Sequence, residues 1–374
     1  MASSLYIHIP FCMKRCIYCD FVSGIYDPEK AGRYIDALIN EIEAIPSGSA
    51  LSTLYIGGGT PSALAINTLS KLFKHSFNYF DFKYNYEASI EANPGTLDKA
   101  KLWEIRNAGI NRVSIGVQSF DDAELRFLGR MHTSAEAEGA VHLASEGGFT
   151  NVGIDLIYGI PGQTIESWES TLTRAVSLKP DHISTYELTV EPGTPLSKSE
   201  LDRDDDEIIK MYGYAVDYLT AQGFGHYEIS NFARPGYECK HNLNYWDRGD
   251  YYGAGLGAHS FIEGKRFHNT DDLDEYLTLI SQGKSPVKGS EIITPDTAVS
   301  EAIFLGLRKT DGIHIESFAR MYHINLVNAY EKELNELQDA GLIELVTSGC
   351  SYGTDLRLTR KGLVLSNEVF KKFM

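Results

Sequence analysis

The stretch Leu5-Tyr-Ile-His-Ile-Pro-Phe-Cys-Met-Lys-Arg-Cys-Ile-Tyr-Cys-Asp-Phe21 decides how the rest of the chain is read. Residues 5–9 form a short β-rich apolar run. Directly after it, Cys12, Cys16 and Cys19 place three thiols within eight residues, while the only other cysteines in the 374-residue chain are Cys239 and Cys350. A strand that feeds such a loop makes a compact soft-ligand site. Three protein ligands are one short of a closed tetrahedral centre and suit a metal site with one open position. An odd cysteine total with three in one loop is a poor disulfide framework, and points to metal chemistry in a reducing compartment.

Outward from this loop, to about residue 190, β-rich runs alternate with amphipathic helical runs. Asp27 offers an N-cap, Pro28 a first helical residue, and Tyr34, Ile35, Leu38 and Ile42 an apolar stripe. Residues 51–56 form a second strand, stopped by Gly57-Gly58-Gly59, and a helix with Leu69, Leu72 and Phe73 follows. Residues 86–92 alternate in period two, and Thr96 is expected to cap a helix that ends near Ala108 and Gly109. Strands at 113–117, 152–158 and 182–190 complete six, with helices near 134–147 and 165–178. Strand then helix, repeated with short loops, implies right-handed parallel β/α units. Periodicity alone leaves open a full barrel, a partial barrel or an open doubly wound sheet.

The acidic run 202–207 is expected in the first turn of a helix carrying Ile208, Met211, Tyr212 and Val216, where negative charge suits the helix dipole. Residues 225–270, rich in Gly, Tyr, Asn and His, show little periodicity, and long irregular stretches are often functional. A composition break at 281–295 divides two expected units. Residues 1–280 form the β/α array with its irregular extension (about 225–270). Residues 290–374 form a winged-helix-like module, with helices at 296–308, 314–322 and 325–340 and a hairpin of strands 342–346 and 355–359.

The expected recognition helix of that module carries Glu331, Glu333, Glu336 and Asp339 against Lys332, so a structural or protein-docking role is expected instead of DNA binding. The formal charge of −17 likewise argues against a nucleic-acid partner. No run of about eighteen apolar residues occurs, the N-terminus shows no signal-peptide pattern, and a cytoplasmic location is expected.

The cysteine loop admits two readings. One is a structural zinc, with His8 or Asp20 as fourth ligand or with Cys239 and His241 approaching in space, although Cys-x3-Cys-x2-Cys is not a usual zinc spacing. The other is a [4Fe–4S] cubane with three irons on thiolates and the fourth free. The strand ends bear on the choice. Gly57-Gly58-Gly59-Thr60-Pro61 ends the second strand, and glycines there let backbone groups approach a ligand closely. Glu91 in Ser-Ile-Glu-Ala-Asn-Pro, Gln118 in Ile-Gly-Val-Gln-Ser-Phe and Asp155 in Gly-Ile-Asp-Leu-Ile-Tyr-Gly-Ile-Pro-Gly sit in the third, fourth and fifth strands. A polar group in an apolar strand is costly unless paired. Several at successive strand ends read as one polar site at a barrel mouth.

These motifs, with Tyr18 immediately before Cys19, resemble the radical S-adenosylmethionine superfamily. The resemblance implies an α/β fold, a partial (β/α)6 TIM-like barrel followed by the winged-helix-like module. It also implies an open iron chelated by the amino and carboxylate groups of S-adenosylmethionine, whose sulfonium is cleaved on reduction to give a 5′-deoxyadenosyl radical. With Arg130 in Leu-Gly-Arg-Met-His, nearly the whole chain is similar to the branch holding the oxygen-independent coproporphyrinogen III dehydrogenases and the HemW heme chaperones. By matching motifs, Cys12, Cys16 and Cys19 are the implied cluster ligands, and Tyr6, Tyr18, Gly58, Gly59, Thr60, Glu91, Gln118, Arg130 and Asp155 the implied S-adenosylmethionine contacts.

The two groups differ in class. The dehydrogenase oxidatively decarboxylates two propionates, has an extra N-terminal arm, and carries a fourth cysteine two residues after the third. Here that position is Phe21 and the arm is expected to be missing, which favours the chaperones. His241-Asn-Leu-Asn-Tyr-Trp246 resembles the HemW signature His-Asn-x-x-Tyr-Trp associated with heme binding. Imidazole is a common axial heme ligand, and neighbouring aromatics offer area to a porphyrin face. His241 is therefore the heme candidate, with Cys239, His226 and His259 left open as other ligands. The expected function is to hold heme, a [4Fe–4S] cluster and S-adenosylmethionine, and to deliver heme to acceptor proteins. Oxidation of coproporphyrinogen III is the alternative, and no catalytic residue is assigned. Peripheral docking at a membrane and a homodimer stay open.

Overall fold

Six strands lie side by side in the order in which the chain makes them. They are β1 (Ser4–Ile9), β2 (Leu51–Gly58), β3 (Phe82–Ala92), β4 (Arg112–Gln118), β5 (Val152–Tyr158) and β6 (His182–Glu187), all parallel. The computed structural model describes residues 3–48, 50–199, 201, 203–347 and 353–374. Asp202 at the head of the acidic run, Cys350 and the turn around it lie outside the described residues.

A doubly wound sheet reverses its strand order at a switch point, whereas a β/α barrel does not. The sequential order therefore selects the barrel. Three short strands extend it: β7 (Gly225–Glu228) and β8 (Asn231–Ala233) continue antiparallel beyond β6, and β9 (Tyr252–Ala254) runs parallel to β1. The nine-stranded order is β9-β1-β2-β3-β4-β5-β6-β8-β7, and its two edges do not pair with each other, so the barrel is partial.

Alternation along each strand separates two chemistries. Leu5, Ile7, Ile9, Leu54, Ile56, Ala88, Ile90, Val113, Ile115, Val117, Ile154 and Leu156 are buried in one apolar cluster with the surrounding helices. Burial of each large aliphatic side chain contributes about 1.5–3 kcal/mol. The intervening residues, among them Thr53, Glu87, Ser89, Arg112, Ser114, His182 and Ser184, are also buried yet polar. They face the barrel interior.

The helix Pro28–Glu43 starts as its sequence dictates: Asp27 accepts from the Lys30 amide at 2.9 Å, Pro28 follows, and Tyr34, Ile35, Leu38 and Ile42 are buried. Thr96 does not cap the next helix. Asp98 does, accepting from the Lys101 amide at 2.8 Å, because the Thr96 hydroxyl is taken by Ser62 and the Asn93 carbonyl. The stretch 225–270 is regular after all. Besides β7–β9 it holds the helix Lys240–Trp246 and an antiparallel pair, His259–Ile262 with Lys265–Asn269, to which Val287–Ile292 adds a third strand. Strands of three to five residues are too short to display a period.

In the C-terminal part, the helix expected over 325–340 is split at Tyr330 into Leu326–Ala329 and Glu331–Asp339. The hairpin gains a third strand, Ile313–His314. A separate apolar cluster includes Ile303, Leu307, Phe318, Leu334, Leu337, Leu356 and Phe370. Two short helices, Arg360–Val364 and Ser366–Phe370, follow without a counterpart in the sequence reading. Leu363 and Val364 pack against the barrel's apolar cluster, Arg360 bonds Asp217 at 2.7 and 2.6 Å, and Arg308 lies 3.7 Å from the buried Glu228, so this part contacts the barrel. No described helix is long and apolar enough to cross a membrane.

Candidate functional site

Parallel strands deliver their C-terminal ends to one side of the barrel, and a cavity of about 820 Å³ opens there. Cys12, Cys16, Tyr18, Cys19, Gly58, Gly59, Thr60, Glu91, Gln118, Arg130 and Asp155 all line it. Tyr6 and His241 do not.

The cysteine loop is tied at both ends, by the Gly24 amide to the Pro10 carbonyl and the Tyr26 amide to the Cys12 carbonyl, each at 2.8 Å. Cys12 is buried, and Cys16 and Cys19 are half-buried. The Thr60 hydroxyl points at Cys12 Sγ and Arg130 Nη1 at Cys16 Sγ, both at 3.6 Å. Burial pushes the Cys12 and Cys19 thiols up from their ordinary value, so a positive centre has to hold them as thiolates. A Cβ at Gly59 would stand 2.9 Å from the Phe11 backbone and 3.0 Å from Cys12 Sγ, so glycine keeps the space beside the sulfur clear. Among the described residues no three His, Cys, Asp or Glu side chains gather closely enough to hold a single metal ion. A cubane spreads its thiolates over several corners and does not need them to converge. His8 is also unsuited to zinc, since its ring bonds the Tyr6 hydroxyl at 2.9 Å and the Val22 carbonyl at 2.7 Å. The donor set thus fits an iron–sulfur cluster with an open corner.

The Gly58 amide donates to Glu91 Oε2 at 3.1 Å, and the Tyr55 hydroxyl to Oε1 at 2.9 Å. Gly58 has φ +112°, and a Cβ would come within 2.6 Å of the His8 ring, so this turn requires glycine twice over. Burial first, and the Asp155 charge second, push the Glu91 carboxyl up to about 7. Burial also raises Asp155, which accepts from Ser184 at 2.7 Å and from Ser114 at 3.1 Å on each oxygen. Arg130 Nη2 donates to Asn93 at 2.7 Å and to the Gly116 carbonyl at 2.6 Å, while its Nε is sealed without a partner. Gln118 ends β4 in the left-handed region at φ +69°, a strain of about 1–3 kcal/mol for a non-glycine residue. Carboxyls suited to an ammonium, guanidinium groups suited to an anion, and soft sulfurs therefore share one enclosure.

Tyr6 and His241 belong to an aromatic column behind the wall. Tyr6 stacks on Tyr55 (6.3 Å, 26°) and Tyr55 on His241 (5.2 Å, 26°), and Tyr245 meets His241 edge-on at 4.9 Å. His241 is buried, with Nδ1 bonded to Thr53 Oγ1 at 2.8 Å and Nε2 to the Tyr245 hydroxyl at 2.9 Å. Burial, then the nearby Arg112, lower its pKa to about 3, which keeps the imidazole neutral. Iron ligation by this ring requires Thr53 or Tyr245 to let go. Cys239 is buried against Glu87 at 3.6 Å, His226 stacks on Phe232 at 4.4 Å, and exposed His259 lies 5.1 Å from His268. These four do not converge on the cavity. Asn242, from the same helix as His241, does line it.

Other cavity residues escaped the sequence reading: Tyr55, Asn93, Arg112, Ser114, Ser184, Arg308 and residues 363–367. A signal existed for some of them. In Arg112-Val-Ser-Ile-Gly-Val-Gln118 every second residue is polar or glycine, which marks the inner face along the whole strand and not only at its end. No local signal announces that residues 363–367 return to the mouth.

The Radical SAM superfamily model matches residues 6–175, and the HemN C-terminal domain model residues 293–365. The heme chaperone HemW of Lactococcus lactis is 35% identical, the match covering 100% of this chain and 97% of its own. That of Bacillus subtilis is 37% identical over 99% of each, and that of Escherichia coli 40% identical over 71% and 73%. The solved structure of coproporphyrinogen III oxidase (HemN) from Escherichia coli, a radical SAM enzyme, matches with TM-score 0.86 and 26% identity over 99% of this chain and 89% of that one.

Proposed function

The chain belongs to the HemW family of radical SAM proteins, and we propose that it binds heme and delivers it to acceptor proteins, with a [4Fe–4S] cluster and S-adenosylmethionine held in the barrel mouth. The observation that carries this reading is similarity to curated heme chaperones along the whole chain. Phe21, 61% exposed at the cavity rim, adds to it by standing where the dehydrogenases carry their fourth cysteine. We take residues 1–280 and 290–374 as its two units, and the cytoplasm, where thiols stay reduced, as its place of action.

Cys12, Cys16 and Cys19 would hold the cluster. When bound and reduced, such a cluster supplies the electron that cleaves a sulfonium. The chain's own residues bind and orient. In this reading Glu91, braced by Tyr55 and the Gly58 amide, takes the ammonium of S-adenosylmethionine. Gly58, Gly59 and Thr60 offer backbone without bulk, and Gln118, Arg130, Asp155 and Tyr18 bound the rest of that ligand. Tyr6 acts from behind, through its ring on Tyr55. His241 would offer its Nε2 to heme iron once Tyr245 releases it.

A second reading, oxidative decarboxylation of coproporphyrinogen III, is favoured by the likeness to HemN over 99% of the chain. Titrating anaerobically reconstituted protein with hemin, then adding apomyoglobin as a probe acceptor, tests the first. Saturable binding at about one heme per chain and transfer of the Soret band to the acceptor are expected. Absence of saturable binding would overturn it.

A further inference from the structure

Arg112 opens β4, six positions before Gln118, and so lies at the deep end of the cavity that it helps to line. It is 2% exposed. Among the described residues its guanidinium has no hydrogen-bond partner and no ion pair, and its Nε is sealed off altogether. Arg130, in the same cavity, is partnered at both terminal nitrogens, by Asn93, the Gly116 carbonyl and Cys16, and only its Nε is without a partner. An unpaired buried charge is among the costliest arrangements a fold can keep.

The neighbouring carboxylates share the field of Arg112 without pairing to it. Glu87 is occupied by the Cys239 thiol and the backbone amides of Lys240 and His241. Glu91 is held by Tyr55 and Gly58, and Asp155 by Ser114 and Ser184. The guanidinium is thus left for something that arrives. From this floor the cavity runs out to an apolar lip made by Ile229, Leu363, Val364 and Leu365. A cation at the bottom, polar walls that hold Glu91 and Asp155 on partners of their own, and apolar side chains at the lip suit a flat apolar ligand that carries a carboxylate on a short arm.

We propose that Arg112 is a carboxylate-binding subsite that takes a propionate of the tetrapyrrole cargo. The inference rests on the heme reading given above. The other carboxylate at hand is that of S-adenosylmethionine, which family resemblance already assigns to the open iron.

The test compares hemin with hemin dimethyl ester, whose propionates carry no charge. Both are titrated anaerobically into reconstituted wild-type protein saturated with S-adenosylmethionine, and into Arg112→Gln and Arg112→Lys, with circular dichroism and melting temperature monitoring the fold. Wild type is expected to bind hemin on the order of tenfold tighter than the ester, the worth of one charge-assisted hydrogen bond. Arg112→Gln binds the two alike, and Arg112→Lys regains part of the difference. Equal affinities in wild type, a comparison that needs no variant to fold, overturn the subsite while heme binding stands. Binding of neither ligand overturns the heme reading and the subsite with it. Arg112→Gln keeping the wild-type difference, or losing S-adenosylmethionine affinity in its place, assigns that guanidinium elsewhere and overturns the inference.

Discussion

The barrel mouth and the His241 segment meet on the two sides of one ring, Tyr55, and are built on opposite principles. On the cavity side Tyr55 donates to Glu91, and nearby polar groups leave capacity unused: a sealed Arg130 Nε, and an Arg112 guanidinium without a hydrogen-bond partner among the described residues. On the other side Tyr55 stacks on His241, whose two ring nitrogens and amide are all bonded. Buried polar groups are satisfied as a rule. At Arg112 a ligand can fill what is unpaired, whereas at the His241 ring a ligand has to displace Thr53 or Tyr245. The mouth is a ready site, and the His241 ring is a latched one.

The strongest way to break this contrast lies in the cysteines. Cys12→Ala, Cys16→Ala and Cys19→Ala are each expected to bring iron and sulfide after anaerobic reconstitution to near zero, because no other thiol lines the cavity among the described residues. Iron retained at the wild-type level in any of the three would remove the mouth as the cluster site. Next comes Gly58→Ala, which forces a Cβ into the His8 ring at positive φ. A stability loss of about 1–3 kcal/mol and weaker S-adenosylmethionine binding by calorimetry are expected, and unchanged affinity would mean that this turn does not touch the ligand.

The latch is sharpened by a pair of variants. Tyr245→Phe removes one hydrogen bond, costs about 1 kcal/mol, and frees His241 Nε2, so heme is expected to bind more tightly with an imidazole-ligated spectrum. His241→Ala leaves the Thr53 and Tyr245 hydroxyls unpaired, costs about 2–4 kcal/mol, and loses that spectrum. Identical heme spectra in both variants would make His241 a purely structural residue.

The smallest effect is a pH profile. Glu91 titrates near 7 in the folded protein against an ordinary 4.5. Between those values the folded state binds the extra proton, so the contribution of this group to stability falls as pH rises through the window. A carboxylate is what an ammonium needs, so S-adenosylmethionine affinity is expected to rise with pH up to about 7 and then level. Glu91→Gln should flatten the profile at a lower affinity. A slope that persists in Glu91→Gln would place the titrating group elsewhere.

Much of the mouth was legible because its residues punctuate strands. A thiol cluster after residues 5–9, glycines after 51–56, and Glu91, Gln118 and Asp155 interrupting apolar runs are local marks, and the sequential β/α order carries them all to one end. The inner wall was readable in principle from period-two alternation, yet Arg112 and Ser114 precede the strand end and no break in the apolar run marks them. The contributions of Arg308 and residues 363–367 were not legible, since they depend on long-range contacts such as Arg360 with Asp217. The His241 motif was visible, but its closure depends on Thr53 and Tyr245 meeting one ring, which a linear pattern does not encode.

The proposed heme delivery stands against one alternative, oxidation of coproporphyrinogen III. Reconstituted protein incubated anaerobically with coproporphyrinogen III, a reductant and S-adenosylmethionine, followed by separation of the oxidised porphyrins, measures it directly. The expected result is no protoporphyrinogen above the control lacking protein, and protoprophyrinogen formed over many turnovers would contradict it.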